Sequence, residues 1–279
     1  MIAIDQDTLT EQEFQLISDL VYRHCGINLH DGKKELVRAR LAKLVRSSGA
    51  ASVSEYLAQV RADASGREFA TLIDAISTNL TSFFREKTHF EYLKDKFLPS
   101  IVSAQKHGTR CRVRAWSAGC SSGEEAYSLA ITLLEAAGGG PAWDAKLLAT
   151  DISHPVLQKA RTGIYDKTRL AAVPPDLRSR YFAPSSLQNQ PAFAVSDALR
   201  RVVQFNYLNL MDTWPFSGPF DFIFCRNVMI YFDKKTQENL VNRFWQCLRP
   251  GGMLFTGHSE SLTGVSHKFS YVLPTVYEK

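Results

Sequence analysis

The run Trp116-Ser117-Ala118-Gly119-Cys120-Ser121-Ser122-Gly123-Glu124-Glu125 sets a string of small side chains before two adjacent carboxylates. Small residues let a backbone approach a ligand closely. The run follows a β-like stretch at 111–115 and leads into a helical stretch at 126–135. Strand, tight turn and helix in that order build the ligand crevice of α/β folds. The turn has neither the GxGxxG spacing of dinucleotide sites nor the GxxxxGK[ST] spacing of phosphate loops. Its carboxylates would repel a phosphate and attract a cation. An amino or sulfonium group is the better guest, which points to S-adenosylmethionine (SAM).

Other polar residues fall where strands should end. Asp151 closes the β-like stretch 147–150, where a crevice needs a carboxylate for ribose hydroxyls; capping of the following helix, by Asp151 or Ser153, is the alternative. Asn209 and Asp212 follow a stretch at 202–206 and could reach an adenine, while Arg226 and Asn227 follow one at 220–225. Tyr231 lies four residues after Asn227, so a helical turn would turn both to one cavity.

The elements that must hold these groups divide near residue 80. Residues 10–77 read as helices at 11–24, 33–47, 53–62 and 67–76, a small helical bundle. A further helix is expected at 87–105. Beyond it strands and helices alternate, with strands at 112–117, 146–151, 202–206, 220–225, 253–257 and 275–278 and a helix at 235–247. That alternation predicts an α/β fold with a mostly parallel, doubly wound sheet. Between 163 and 201 it breaks. That segment holds Pro174, Pro175, Pro184 and Pro191, contains a β-like piece at 193–195, and is too long for a crossover loop, so it reads as an insertion.

Composition bounds the function. The chain has 279 residues with 45% hydrophobic and 22% charged, the profile of an ordinary globular protein. No apolar run approaches the ~20 residues of a membrane span. The acids Asp5, Asp7, Glu11 and Glu13 do not suit a secretory leader. The cysteines Cys25, Cys111, Cys120, Cys225 and Cys247 are odd in number and form no CxxC pair, so neither a disulfide framework nor a metal site is expected. A reducing, cytoplasmic setting is expected. Residues 33–46 carry Lys33, Lys34, Arg38, Arg40, Lys43 and Arg46 against Glu35, a net charge equal to the whole chain's +5. With Asp31 as a possible N-cap, Gly49 as a stop and Val37, Leu41 and Leu44 as an apolar stripe, this reads as a helix with one cationic face. Such a face is either a solvated surface or a dock for an acidic partner. No aromatic platform or recognised motif supports nucleic acid.

The chain resembles the CheR-type chemotaxis receptor methyltransferases. The likeness rests on Asn79-Leu80-Thr81-Ser82-Phe83-Phe84-Arg85-Glu86, on 116–128, on Ala149-Thr150-Asp151-Ile152, on 220–232 with its Cys225-Arg226-Asn227-Val228-Met229-Ile230-Tyr231-Phe232 string, and on 251–260. It implies a helical domain at 1–78, a linker and bridging helix at 79–110, and a Rossmann-like SAM-dependent methyltransferase domain at 111–279 with a small antiparallel β-subdomain inserted at 163–201. It implies transfer of a methyl group from SAM to receptor glutamates, leaving S-adenosylhomocysteine. Asn79, Thr81, Arg85, Ala118, Gly119, Asp151, Asn209, Leu210, Arg226 and Asn227 would line the cofactor site, with Asp151 on the ribose and Asn209 and Leu210 at the adenine. Glu125 or Glu124 would meet the methionine amino group. Arg85 and Tyr231 would stand nearest the chemistry. The expected partner is the cytoplasmic part of a methyl-accepting receptor, met by a monomer with no nucleic acid and no membrane insertion. A receptor C-terminal tail could add to the insertion as a strand. The loop expected at 183–191 lacks glycines and carries Pro184 and Pro191, so weak or no tail binding is expected. The alternatives are a nucleic-acid methyltransferase, which no Pro-Cys or Asn-Pro-Pro-Tyr motif supports, and a SAM-binding regulator without catalysis.

Overall fold

The computed structural model describes residues 9–103, 111–137 and 143–279. The acids at positions 5 and 7 and the end of the helix expected at 87–105 lie outside them. The chain forms two compact units, one running to Thr78 and including Tyr231–Thr236, the other made of Asn79–Ile230 and Gln237–Lys279.

The first unit is built on α1 (Glu11–Cys25), α2 (Lys34–Ser48), α3 (Val53–Ala62) and α4 (Arg67–Ile76). Local chemistry sets their ends. Thr10 and Glu13 close a reciprocal capping box on α1, and Gly26 ends it in the left-handed conformation. Gly49 ends α2 in the same way, and Ser52 caps α3 through Glu55 N. Phe14, Ile17, Val37, Leu41, Tyr56 and Leu72 are buried between the helices. Asp31 is not the N-cap of α2. It opens a 3-10 turn, Asp31–Lys33, and α2 starts at Lys34 after Lys33.

The second unit opens with α5 (Lys87–Tyr92) and α6 (Leu98–Ser103), joined by a π-helical turn at Leu93–Phe97. Then come β1 (Cys111–Ala118), α7 (Glu124–Ala136), β2 (Trp143–Asp151) and α8 (His154–Thr162). The insertion holds β3 (Ile164–Asp166), α9 (Pro175–Tyr181), β4 (Phe182–Leu187), β5 (Gln190–Val195) and α10 (Asp197–Val202). The chain returns through β6 (Val203–Tyr207), β7 (Phe220–Cys225), α11 (Lys234–Cys247), β8 (Leu248–Thr256), β9 (Ser270–Leu273) and β10 (Val276–Glu278). The main sheet runs β6-β2-β1-β7-β8-β10-β9. Its first five strands are parallel; β10 runs against them, and β9, antiparallel to β10, runs with them again. Chain order reverses beside β1, between β2 and β7, which is where a doubly wound sheet opens its crevice. β7 is buried at every residue, as a central parallel strand must be.

The insertion forms its own antiparallel sheet, β3-β5-β4. Residues 183–191 are not a loop. They are the facing ends of β4 and β5, joined at Gln188 and Asn189, both at positive φ. β4 is one of its two edge strands and carries Pro184, which has no backbone N–H to donate. Among the described residues no helix is long and apolar enough to cross a membrane.

Candidate active site

The site lies at the carboxyl edge of β1, β2, β6 and β7. Ala118 is level with Thr150, and Ser117 is level with Ala149 and with Phe224. Asp151 is level with Tyr207. The strand register therefore delivers the small-residue turn, Asp151, Asn209 and Arg226 to one edge. Gly119 and Cys120 donate to Thr150 O at 2.8 and 2.9 Å, which folds the turn back over β2. Gly119 sits at φ +89°, and a Cβ there would lie 2.3 Å from Val228 Cγ2, so only glycine fits.

The two carboxylates open α7, where the helix dipole favours negative charge. They face different partners. Glu125 Oε1 accepts from Ser117 Oγ at 2.7 Å, and its Oε2 lies 3.4 Å from Arg226 Nη1. Burial pushes the Glu125 carboxyl up; Arg226 and Ser117 pull it back. Glu124 Oε2 accepts from Ser122 Oγ at 2.7 Å, and its Oε1 pairs with Arg169 at 3.0 Å. Glu125 is thus held by residues at the ends of β1 and β7, and Glu124 by the turn and the insertion.

Asp151 is fixed through both oxygens, accepting from Ser121 N at 2.8 Å and Ser153 N at 3.0 Å. The second bond holds Ser153, the residue before α8, and neither Asp151 nor Ser153 gives that helix a side-chain cap. Asn209 Oδ1 accepts from Met211 N, and its Nδ2 donates to Asp212. Leu210 O accepts from Trp214 Nε1 and Arg243 Nη1.

Arg226 is 4% exposed. It reaches Glu86 through Nη2 at 3.0 Å and Nε at 3.2 Å, and donates from Nη2 to Arg85 O. Burial pulls the Glu86 carboxyl up, but Arg226 and His258 outweigh it and leave the group below its ordinary value. Asn227 stands at φ +59°, and a 3-10 turn begins at Met229, so Asn227 and Tyr231 are not one helical turn apart. Glu260 fixes this stretch by accepting from Asn227 N, Gly257 N and Ile230 N at 2.6, 2.7 and 3.0 Å.

Arg85 donates to Leu80 O at 3.0 Å. Among the described residues it pairs with no carboxylate: Glu86 belongs to Arg226 and Glu124 to Arg169. Tyr231 falls in the first unit, where its Oη donates to Thr78 O at 3.3 Å.

Sequence reasoning missed Ser117, Glu86, Arg169 and Glu260 as site residues. Ser117, Glu86 and Glu260 sit inside strings that were read for other members. The structure also gathers Glu86, His89 and His258, each offering one ligand atom within 4.8 Å of the others. No metal is assigned there, because the Arg226 guanidinium already supplies the positive charge at Glu86.

A zwitterionic, sugar-bearing cofactor fits this edge. Glu125 and Asp151 are anchored carboxylates, Gly119 clears the backbone, and Arg85 has no carboxylate partner among the described residues.

Comparison with known proteins agrees. The family described as CheR methyltransferase, SAM binding domain matches residues 79–277, and the CheR methyltransferase all-alpha domain matches residues 12–77. A chemotaxis protein methyltransferase from Borreliella burgdorferi is 41% identical over 97% of this chain and 95% of its own. One from Salmonella typhimurium is 41% identical over 96% and 90%, and chemotaxis protein methyltransferase 2 of Pseudomonas aeruginosa is 40% identical over 96% and 93%.

Proposed function

The chain belongs to the CheR methyltransferase family, and from that premise we propose that it methylates glutamate side chains of chemoreceptors, forming esters that serve chemotactic adaptation. It is a SAM-dependent methyltransferase. The observation that carries the finer reading is the pair of anchored carboxylates, Glu125 and Asp151, at one strand edge, with Arg85, which pairs with no carboxylate among the described residues, on the adjoining segment.

When bound, SAM supplies a methyl carbon made electrophilic by its sulfonium sulfur. Glu125 receives the amino group and Asp151 the ribose hydroxyls. Asn209 and Leu210 flank the adenine, and Asn79, Thr81, Ala118, Gly119 and Asn227 complete the cradle. Arg226 holds Glu125 in place. A glutamate acceptor, with a pKa of about 4.3, is already a carboxylate at neutral pH, so no general base is needed. Arg85 orients a carboxylate and Tyr231 offers a hydroxyl to the acceptor. Alignment of oxygen, methyl and sulfur is then the main catalytic task, worth roughly 7–11 kcal/mol in favourable cases.

Labelled SAM is expected to mark a purified receptor fragment, but not RNA, with label that mild alkali releases as an ester would. Tyr231→Phe should slow transfer about tenfold with SAM affinity nearly intact, and Arg85→Ala should lower kcat/KM by roughly 10- to 100-fold. Alkali-stable label, or label on RNA, would overturn the proposed acceptor.

The cationic face of α2 is proposed as the receptor contact. Its charges are not equivalent. Lys34 pairs with Glu11 at 2.6 Å and Arg38 with Glu35 at 2.9 Å. Arg40 donates to the carbonyls of Ile76 and Ser77 and to Thr78 Oγ1, tying α2 to the end of α4. Lys43 is exposed, so it is better placed to steer an acidic helix. Reversing Lys43 to Glu should slow methylation about threefold at low salt, less as salt rises, with SAM binding unchanged. Rates indifferent to both charge and salt would remove this face from the contact. No tail partner is proposed for the insertion.

A further inference from the structure

Residues 79–86 carry Asn79, Thr81 and Arg85 but lie outside every helix and strand. Their carbonyls must therefore be satisfied from elsewhere. Asn79 O accepts from Ser121 Oγ at 2.9 Å, Leu80 O from Arg85 Nη1 at 3.0 Å, and Arg85 O from Arg226 Nη2. Thr81 O accepts from Arg169 Nη1 at 3.2 Å. Three of these donors belong to the segment itself or to the strand-edge loops. Arg169 belongs to the insertion, on the 3-10 turn Arg169–Ala172 that follows β3.

The same nitrogen of Arg169 lies 3.0 Å from Glu124 Oε1. The two ends of that ion pair differ in burial. The Arg169 side chain is 44% exposed, whereas that of Glu124 is 1% exposed. Without Arg169, Glu124 would be a buried carboxylate held by the Ser122 hydroxyl, at the first position of α7 and beside Glu125. Thr81 O would lose its donor in the same step. An unpaired buried charge is strongly unfavourable, so the first turn of α7 and the segment at Thr81 would both rearrange.

We propose that Arg169 is a positioning residue of the cofactor site: by bridging Thr81 and Glu124 it makes SAM affinity depend on the inserted β-subdomain. The inference rests on reading this edge as the SAM site. Arg169 acts through the two groups it holds. By linkage, anything that shifts its turn changes SAM affinity, and SAM changes the affinity of that agent by the same factor.

The test is calorimetric titration of the full chain with S-adenosylhomocysteine, paired with steady-state methylation, for the unaltered protein, Arg169→Met, Arg169→Lys and Asp151→Ala. Arg169→Met is expected to raise Kd and the KM for SAM about tenfold while kcat at saturation stays within about twofold. Arg169→Lys should recover part of the affinity, because an ammonium keeps the charge beside Glu124. If Arg169→Met binds as the unaltered protein does while Asp151→Ala binds weakly, the positioning role falls and the SAM site stands. A fall in kcat with unchanged Kd also removes the role. If neither variant weakens binding, the assignment of this edge and the inference fall together.

Discussion

Arg226→Met is expected to remove about 3–5 kcal/mol of folding stability at pH 7, as loss of one partner from a buried ion-pair group does. Its guanidinium is the shared counter-charge of Glu86 and Glu125, whose side chains are 10% and 11% exposed. Glu125 retains the Ser117 hydroxyl, but its carboxyl is already pushed up by burial. Glu86 loses the charge that outweighs its own burial. In the variant both carboxyls titrate higher and take up protons on folding near neutral pH. The deficit is therefore largest at high pH and shrinks as pH falls and the acids are neutralised. Denaturant titrations at pH 5.5, 7 and 8.5 read both features. A deficit that is small, or that grows on acidification, would mean that Arg226 is not the counter-charge of this cluster. Cofactor affinity should fall in parallel, since Glu125 loses the group that aims it.

How much of this was legible in the sequence follows from the range of each interaction. The turn at 116–125 could be read because its chemistry is local: small residues, a strand before and a helix after. The strand ends at Asp151, Asn209 and Arg226 could be read for the same reason, since a parallel sheet brings successive carboxyl ends to one edge. The Glu86–Arg226 pair spans 140 positions and Arg169–Glu124 spans 45, and no local pattern announces either. The carboxylates of 124 and 125 look equivalent as neighbours, yet a helix directs successive residues about 100° apart and gives them separate partners. The hairpin at 182–195 was hidden by its two prolines and by a turn, Gln188–Asn189, that lacks the Asn-Gly signal of tight hairpins. The cationic stripe on α2 was visible as charge, but the capture of Arg40 by three groups at the end of α4 was not. Asp31 resembled an N-cap because residue type alone does not tell an α-helical start from a 3-10 turn.

His89 makes the second large effect, on stability against pH. Its ring is fully buried, with Nε2 2.8 Å from Thr275 Oγ1. It packs edge-on against Phe224, Phe255 and His258 at centroid distances of 6.2, 5.7 and 5.2 Å. Burial pushes the imidazole down to about 4; Arg226 and His258 push the same way, and Glu86, 3.6 Å from Nδ1, opposes them. The unfolded chain binds that proton near pH 6.5 and the folded chain only near 4. Stability from the neutral ring is therefore fully present above pH 6.5 and is lost as pH falls from 6.5 towards 4, by up to about 3 kcal/mol. The raised carboxyls of Glu125 and Glu260 act in the opposite sense, so the unaltered protein alone does not isolate the histidine. Comparison with His89→Gln does, because the carboxyls are common to both and the amide does not titrate. Between pH 7 and 4.5 the unaltered protein should lose more stability than His89→Gln, by roughly 2–3 kcal/mol, whatever the offset between them at pH 7. Parallel curves would show that the ring is not held neutral. A steeper curve for His89→Gln would show that the folded protein favours the charged ring. The same ring adjoins Glu86, so acid that protonates it places a second cation beside Arg226, and loosening of the Glu86–Arg226–Glu125 chain should accompany the loss of stability.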